Sequence, residues 1–265
     1  TVLIAGLLVL YAFYRLPDKR RIAWVALGGL GPGLLLAAYN YAIYRTPLPV
    51  GYHYSALWQT QHSTGFMSLT FPKLDALWGI TGSPYRGLFF LSPVLLLALP
   101  GFVYLWRERK YRAEALVSLL SVLSFLAFNA SSSMWWGGFA VGPRYLIPML
   151  PFLAWPMIFF LVRHGQTVWA KVLYGGLAVL SLGLVWGLTW AGQTFPEEIW
   201  RFPWTEFAVP HLARGDLARN VGMLLGLPGW WSLTPLVVIL ALIGIVWFRP
   251  DRSPRPARSQ SEAFA

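Results

Sequence analysis

The sequence predicts an all-α protein, a polytopic bundle of membrane-spanning helices. Three observations predict it. Long apolar blocks recur along the chain; none alternates with period two, as a barrel strand would; and the links between blocks alternate between short basic ones and long aromatic ones. Hydrophobic residues make up 57% of the 265 and charged residues only 12%, more apolar surface than a water-soluble domain of this size can cover.

Seven apolar blocks follow in order, at about 1–14, 22–44, 87–106, 113–130, 146–162, 172–192 and 233–248. The first is too short for a full crossing, which takes about 20 residues. It starts at Thr1 with no charged n-region before it and no small-residue cleavage site after it, so it is not expected to act as a signal peptide. It is expected to be the truncated end of a span in a longer protein. Glycine and proline inside the blocks (Gly28, Gly29, Gly31, Pro32 and Gly33; Pro93 and Pro100; Pro148, Pro151 and Pro156) predict kinks and close helix packing around a cavity.

The links sort by charge. Residues 15–21, 107–112, 163–171 and the tail 249–265 carry fourteen of the 21 Lys and Arg residues. The longer links 45–86, 131–145 and 193–232 carry the other seven. Basic links stay in the cytoplasm, so the C-terminus is expected inside and the three long links outside. This bias accounts for the net charge of +11 without nucleic acid as a partner. The tail, rich in Pro, Ser and Arg, is expected to be a disordered basic cytoplasmic segment. The absence of cysteine excludes disulfides, thiolate catalysis and cysteine metal sites.

Eight of the fifteen tryptophans lie in the three long links, so these links are expected to rest in the membrane interface. Two stretches there, 72–78 and 211–227, are expected to form short interfacial helices.

The stretch SSSMWWGGFAVGPRYLIPMLPF, residues 131–152, concentrates the candidate chemistry. Arg144 follows Gly142 and Pro143 where the chain re-enters the bilayer, with Trp135, Trp136 and Tyr145 nearby. A guanidinium there can snorkel to the interface as an anchor, or bind a phosphate bidentately from a partly dry site. Gly137, Gly138 and Gly142 let backbone approach a bulky headgroup. Arg86 repeats the context in GSPYRGLFFLSP, and the two arginines are expected to flank one phosphate or pyrophosphate. His53 and His62 are candidate contacts to phosphate or sugar. No histidine pair has metal-site spacing, and no cofactor is expected. Asp75, Glu197, Glu198, Glu206 and Asp216 are the outer carboxylates from which a base to activate an acceptor hydroxyl would come; each is otherwise a solvated loop charge.

WWGGFAVGPRYLIPMLPF and GSPYRGLFFLSPVLLLALPGF, with RGDLARNVGMLLGLPGWWSLTPL, resemble segments in the later half of bacterial GT-C polytopic glycosyltransferases, the class of protein O-mannosyltransferases and aminoarabinose transferases. The likeness runs from about Phe71 to Leu236 in three short stretches without a diagnostic catalytic signature. It implies transfer of a sugar from a polyprenyl-phosphate donor to an acceptor outside the bacterial cytoplasmic membrane. It also implies that the catalytic aspartate sits in a first outer loop that this chain lacks. Arg144 and Arg86 would then bind carrier phosphate, with Trp135, Trp136 and Tyr145 lining the pocket. The competing readings are a transporter or flippase for a lipid-linked or anionic substrate, and a scaffolding membrane subunit. The near absence of charge in the spans weighs against a translocation path.

Overall fold

A computed structural model describes residues 2–48, 59–60, 64–65, 68–192 and 201–248. The described residues are 75% helical, and among them the extended pairing is one isolated antiparallel bridge, Leu69 to Ser132. Among the described residues five helical stretches are long and apolar enough to cross a membrane: Arg21–Tyr44, Arg109–Ala130, Arg144–His164, Val168–Ala191 and Gly229–Trp247. Two further expected spans are shorter apolar helices, Leu3–Arg15 and Pro93–Arg107. Their length and composition are those of an integral membrane protein.

The numbered helices are α1 (Val2–Arg15), α2 (Arg21–Tyr44), α3 (Leu74–Thr81), α4 (Ala98–Arg107), α5 (Arg112–Ala130), α6 (Leu150–His164), α7 (Val168–Ala191), α8 (Val209–Arg214) and α9 (Thr234–Trp247). Three expectations need correction. The block at 87–106 is not one α-helix. A single turn, Leu88–Leu91, gives way at Ser92 to the 3-10 turn Pro93–Leu97 and only then to α4. Pro93 has no N–H to donate and disfavours helical backbone at Ser92, which takes φ −133° and ψ 67°. The block at 146–162 likewise opens as the 3-10 turn Arg144–Met149, with Pro148 inside it, before α6 begins. The stretch 211–227 is not one interfacial helix. Gly215, at φ 69°, ends α8 in the left-handed conformation, and the side chain of Asn220 accepts from Met223 N to cap a new turn, Val221–Leu224. The other interfacial helix forms as α3, slightly later than expected.

Helix packing follows the small residues. Gly101 of α4 lies so close to the backbone carbonyl of Pro156 in α6 that a Cβ would collide with it. Gly187 of α7 seats the indole ring of Trp204, in the π-helical turn Trp204–Ala208. In a membrane, where lipid tails are as apolar as side chains, such close approach is a main source of helix association. The core between α3, α4, α5 and α6 is Ile80, Ala98, Val122, Phe125, Leu146, Met149 and Leu153. A second cluster joins Leu91, Leu188, Ala191 and Ala208. By contrast α2 and α9 bury none of their residues, as expected of helices facing lipid.

At one end of the bundle α1 is pinned to α5. Tyr11 Oη and Arg15 Nη2 both donate to Glu114 Oε1 at 2.6 Å, and Arg15 also reaches the Lys110 carbonyl. Tyr104 Oη and His164 Nε2 pair at 2.9 Å.

Candidate functional site

The three long links meet at the other end. The first is stitched to the second by backbone bonds: Thr70 N to Ser131 O at 2.7 Å, Ser133 N to Ser68 O at 2.8 Å and Lys73 N to Ala130 O at 3.0 Å. These bonds hang α3 beside the end of α5 and turn Ala76, Gly79 and Ile80 inward, while Leu74 and Trp78 stay exposed. The third link joins through Phe202 and Arg201, which line one cavity together with Ser83, Tyr85, Trp135 and Trp136.

That cavity has a volume of about 520 Å³, within the range of small-molecule sites. Its walls are fixed from behind. The Trp135 ring lies directly on Gly79, where any Cβ would overlap it. Tyr85 meets Trp135 edge to face, centroids 6.3 Å apart at 83°, and Trp135 meets Trp136 at 6.0 Å and 90°. Arg86 is fully buried. Its Nη1 donates to the Trp136 carbonyl at 2.7 Å, and its guanidinium lies 4.8 Å from the Tyr85 ring centre. Gly137 and Gly138 follow at φ 78° and 67°, left-handed values that admit glycine far more readily than other residues.

Arg144 stands apart from Arg86. It is exposed, with its guanidinium 5.1 Å from the Tyr145 ring centre and Nη2 donating to Tyr145 Oη at 3.3 Å. It lines a second cavity of about 320 Å³, otherwise almost wholly apolar, with Leu88, Leu91, Ile147, Leu150 and Val185 among its walls. Gly137 lies against this arginine, where a Cβ would make ordinary contact with Arg144 Cγ; its φ of 78° rather than space is what favours glycine.

The sequence candidates therefore separate. Trp135 and Trp136 line the first cavity and Arg144 the second, with Tyr145 beneath its guanidinium. Arg86, expected to share a phosphate with Arg144, is instead enclosed behind Trp136 and lines neither cavity. His53 and His62 lie outside the described residues, as do Glu197, Glu198 and the tail. Neither Asp75, Glu206 nor Asp216 lines these cavities; Asp216 pairs with His211 Nδ1 at 2.8 Å. Among the described residues no cluster of metal-ligating side chains forms. Arg201 and Phe202 were not singled out by the sequence. Their signal was weak: an arginine flanked by Trp200 and Phe202 in a link assigned to the same face.

The fold and site define an all-helical membrane protein whose cavities at one end of the bundle include an aromatic one and an apolar one with a guanidinium on its wall. Comparison with protein families, with curated proteins and with solved structures returns no match.

Proposed function

We propose that this chain belongs to a membrane glycosyltransferase that takes a sugar from a polyprenyl-phosphate carrier and passes it to an acceptor at the outer face of the cytoplasmic membrane. The observation that carries the proposal is Arg144 on the wall of the apolar cavity. A polyprenyl phosphate is amphipathic in the same way. Its isoprenoid units suit walls of Leu88, Leu91, Ile147, Leu150 and Val185, and its phosphate suits an exposed guanidinium held by an aromatic ring. Charge bias puts the three long links, and hence both cavities, outside and the C-terminus inside, with seven spans in all. The role of Arg144 is to fix the carrier phosphate, while Arg86 holds the Trp136 backbone in place behind the neighbouring cavity.

The test is transfer of radiolabelled sugar from polyprenyl-phosphate donors in membranes that contain the whole transferase to which this proposal assigns the chain, its first outer loop included. Wild type should transfer, and Arg144→Ala should lose at least about tenfold, the worth of one charge-assisted contact. Full activity in Arg144→Ala would reduce this arginine to an interfacial anchor. Lack of transfer by wild type with every donor and acceptor tried would favour a transporter for a lipid-linked anion.

A further inference from the structure

Tryptophans at a membrane surface need no tether to serve as an interfacial belt. Here the Trp135 indole and the Trp136 backbone are both held. Trp135 is seated on Gly79, and the backbone of Trp136 is held by the buried Arg86. The pair and Tyr85 stand at near right angles to one another and form a rigid corner rather than a flat girdle. The open side of the corner carries Phe202 and, as the sole charged group among the described lining residues, Arg201.

We infer that this cavity receives a pyranose ring bearing an acidic substituent. The inference deepens the transferase proposal and rests on it for the choice of a sugar among flat-faced ligands. One face of a pyranose is lined with C–H bonds, whose weak positive charge suits the negative face of an indole. A rigid corner can stack that face without first ordering its own side chains, which removes part of the entropic cost of binding. The hydroxyl rim supplies acceptors for the Arg201 guanidinium, which has donors only. Arg201 selects the charge: it repels an amino sugar and binds a carboxylate or phosphate through a charge-assisted hydrogen bond.

Saturation-transfer NMR on the purified protein in lipid nanodiscs tests this with methyl glucuronide, glucose 6-phosphate and methyl glucoside. The acidic sugars should bind at least about tenfold more tightly than the neutral one. The stronger of the two acidic probes tells carboxylate from phosphate. Arg201→Ala, at an exposed position, should abolish the preference for charge, and Trp135→Ala should weaken all three. Absence of binding by wild type, or a charge preference that survives Arg201→Ala, would overturn the inference. Arg144→Ala should leave sugar binding intact, because it lines the other cavity. Failure of the carrier-phosphate proposal would instead appear as polyprenyl phosphate binding insensitive to Arg144, so the two failures are read separately.

Discussion

Arg86 Nη1 donates a 2.7 Å hydrogen bond to the backbone carbonyl of Trp136, fifty residues further along the chain. The bond crosses from the first long link to the second and makes a buried cation part of the framework behind an aromatic cavity. Arg86→Met keeps much of the side-chain volume and removes the donor. It should cost about 1–3 kcal/mol, the penalty for leaving a buried carbonyl unsatisfied. Thermal unfolding in nanodiscs should show the loss, together with a red shift in tryptophan emission as the corner loosens. Unchanged stability and emission would remove Arg86 from the framework.

Glycine substitutions should divide by what surrounds them. Gly101→Ala drives a Cβ into the Pro156 backbone between α4 and α6, which has no side-chain freedom to yield, and should destabilise the bundle by about 1–3 kcal/mol. Gly28→Ala in α2 meets open space and should be neutral or gain up to about 1 kcal/mol from helix propensity. Thermal melts of the two variants side by side check the contrast.

Gly79→Ala tests the corner itself. Its Cβ would overlap the Trp135 ring, so the indole must leave its seat. The expected result is modest destabilisation and a change in acrylamide quenching of tryptophan emission. Gly82→Ala is the control, because there the crowding ring is that of the exposed Trp78.

The Arg15–Glu114 pair ties α1 to α5 at 2.6 Å, with side chains 42% and 22% exposed. A double-mutant cycle of Arg15→Ala and Glu114→Gln in thermal unfolding should return a favourable coupling that shrinks as salt is added; a coupling of zero would remove the pair from the helix contact.

How far the sequence could be read depended on the range of the interaction. Helix positions follow from local composition, and the apolar blocks fall on the helices to within a few residues, Val168 at the start of α7 being an early exception. The breaks at Ser92 and Gly215 were also local, since proline and a glycine after Arg214 are ordinary stop signals; the long apolar or amphipathic runs around them hid those signals. The arginines were different. Arg86 and Arg144 each stand beside tyrosine and near glycine and proline, in nearly interchangeable contexts. One is enclosed, its guanidinium bonded to the Trp136 carbonyl, while the other stands exposed on a cavity wall. That distinction lives in contacts fifty residues apart, beyond the reach of any local pattern. Arg201 entered the aromatic cavity for the same reason, through the meeting of three links.

The measurement that bears most directly on the central claim is binding of polyprenyl phosphate, against the uncharged polyprenol, to wild type and to Arg144→Ala in nanodiscs, read by native mass spectrometry. The account predicts that wild type prefers the phosphate by at least about tenfold and that Arg144→Ala binds the two lipids alike. Equal binding of phosphate and alcohol by wild type, or a preference undiminished in Arg144→Ala, would contradict it.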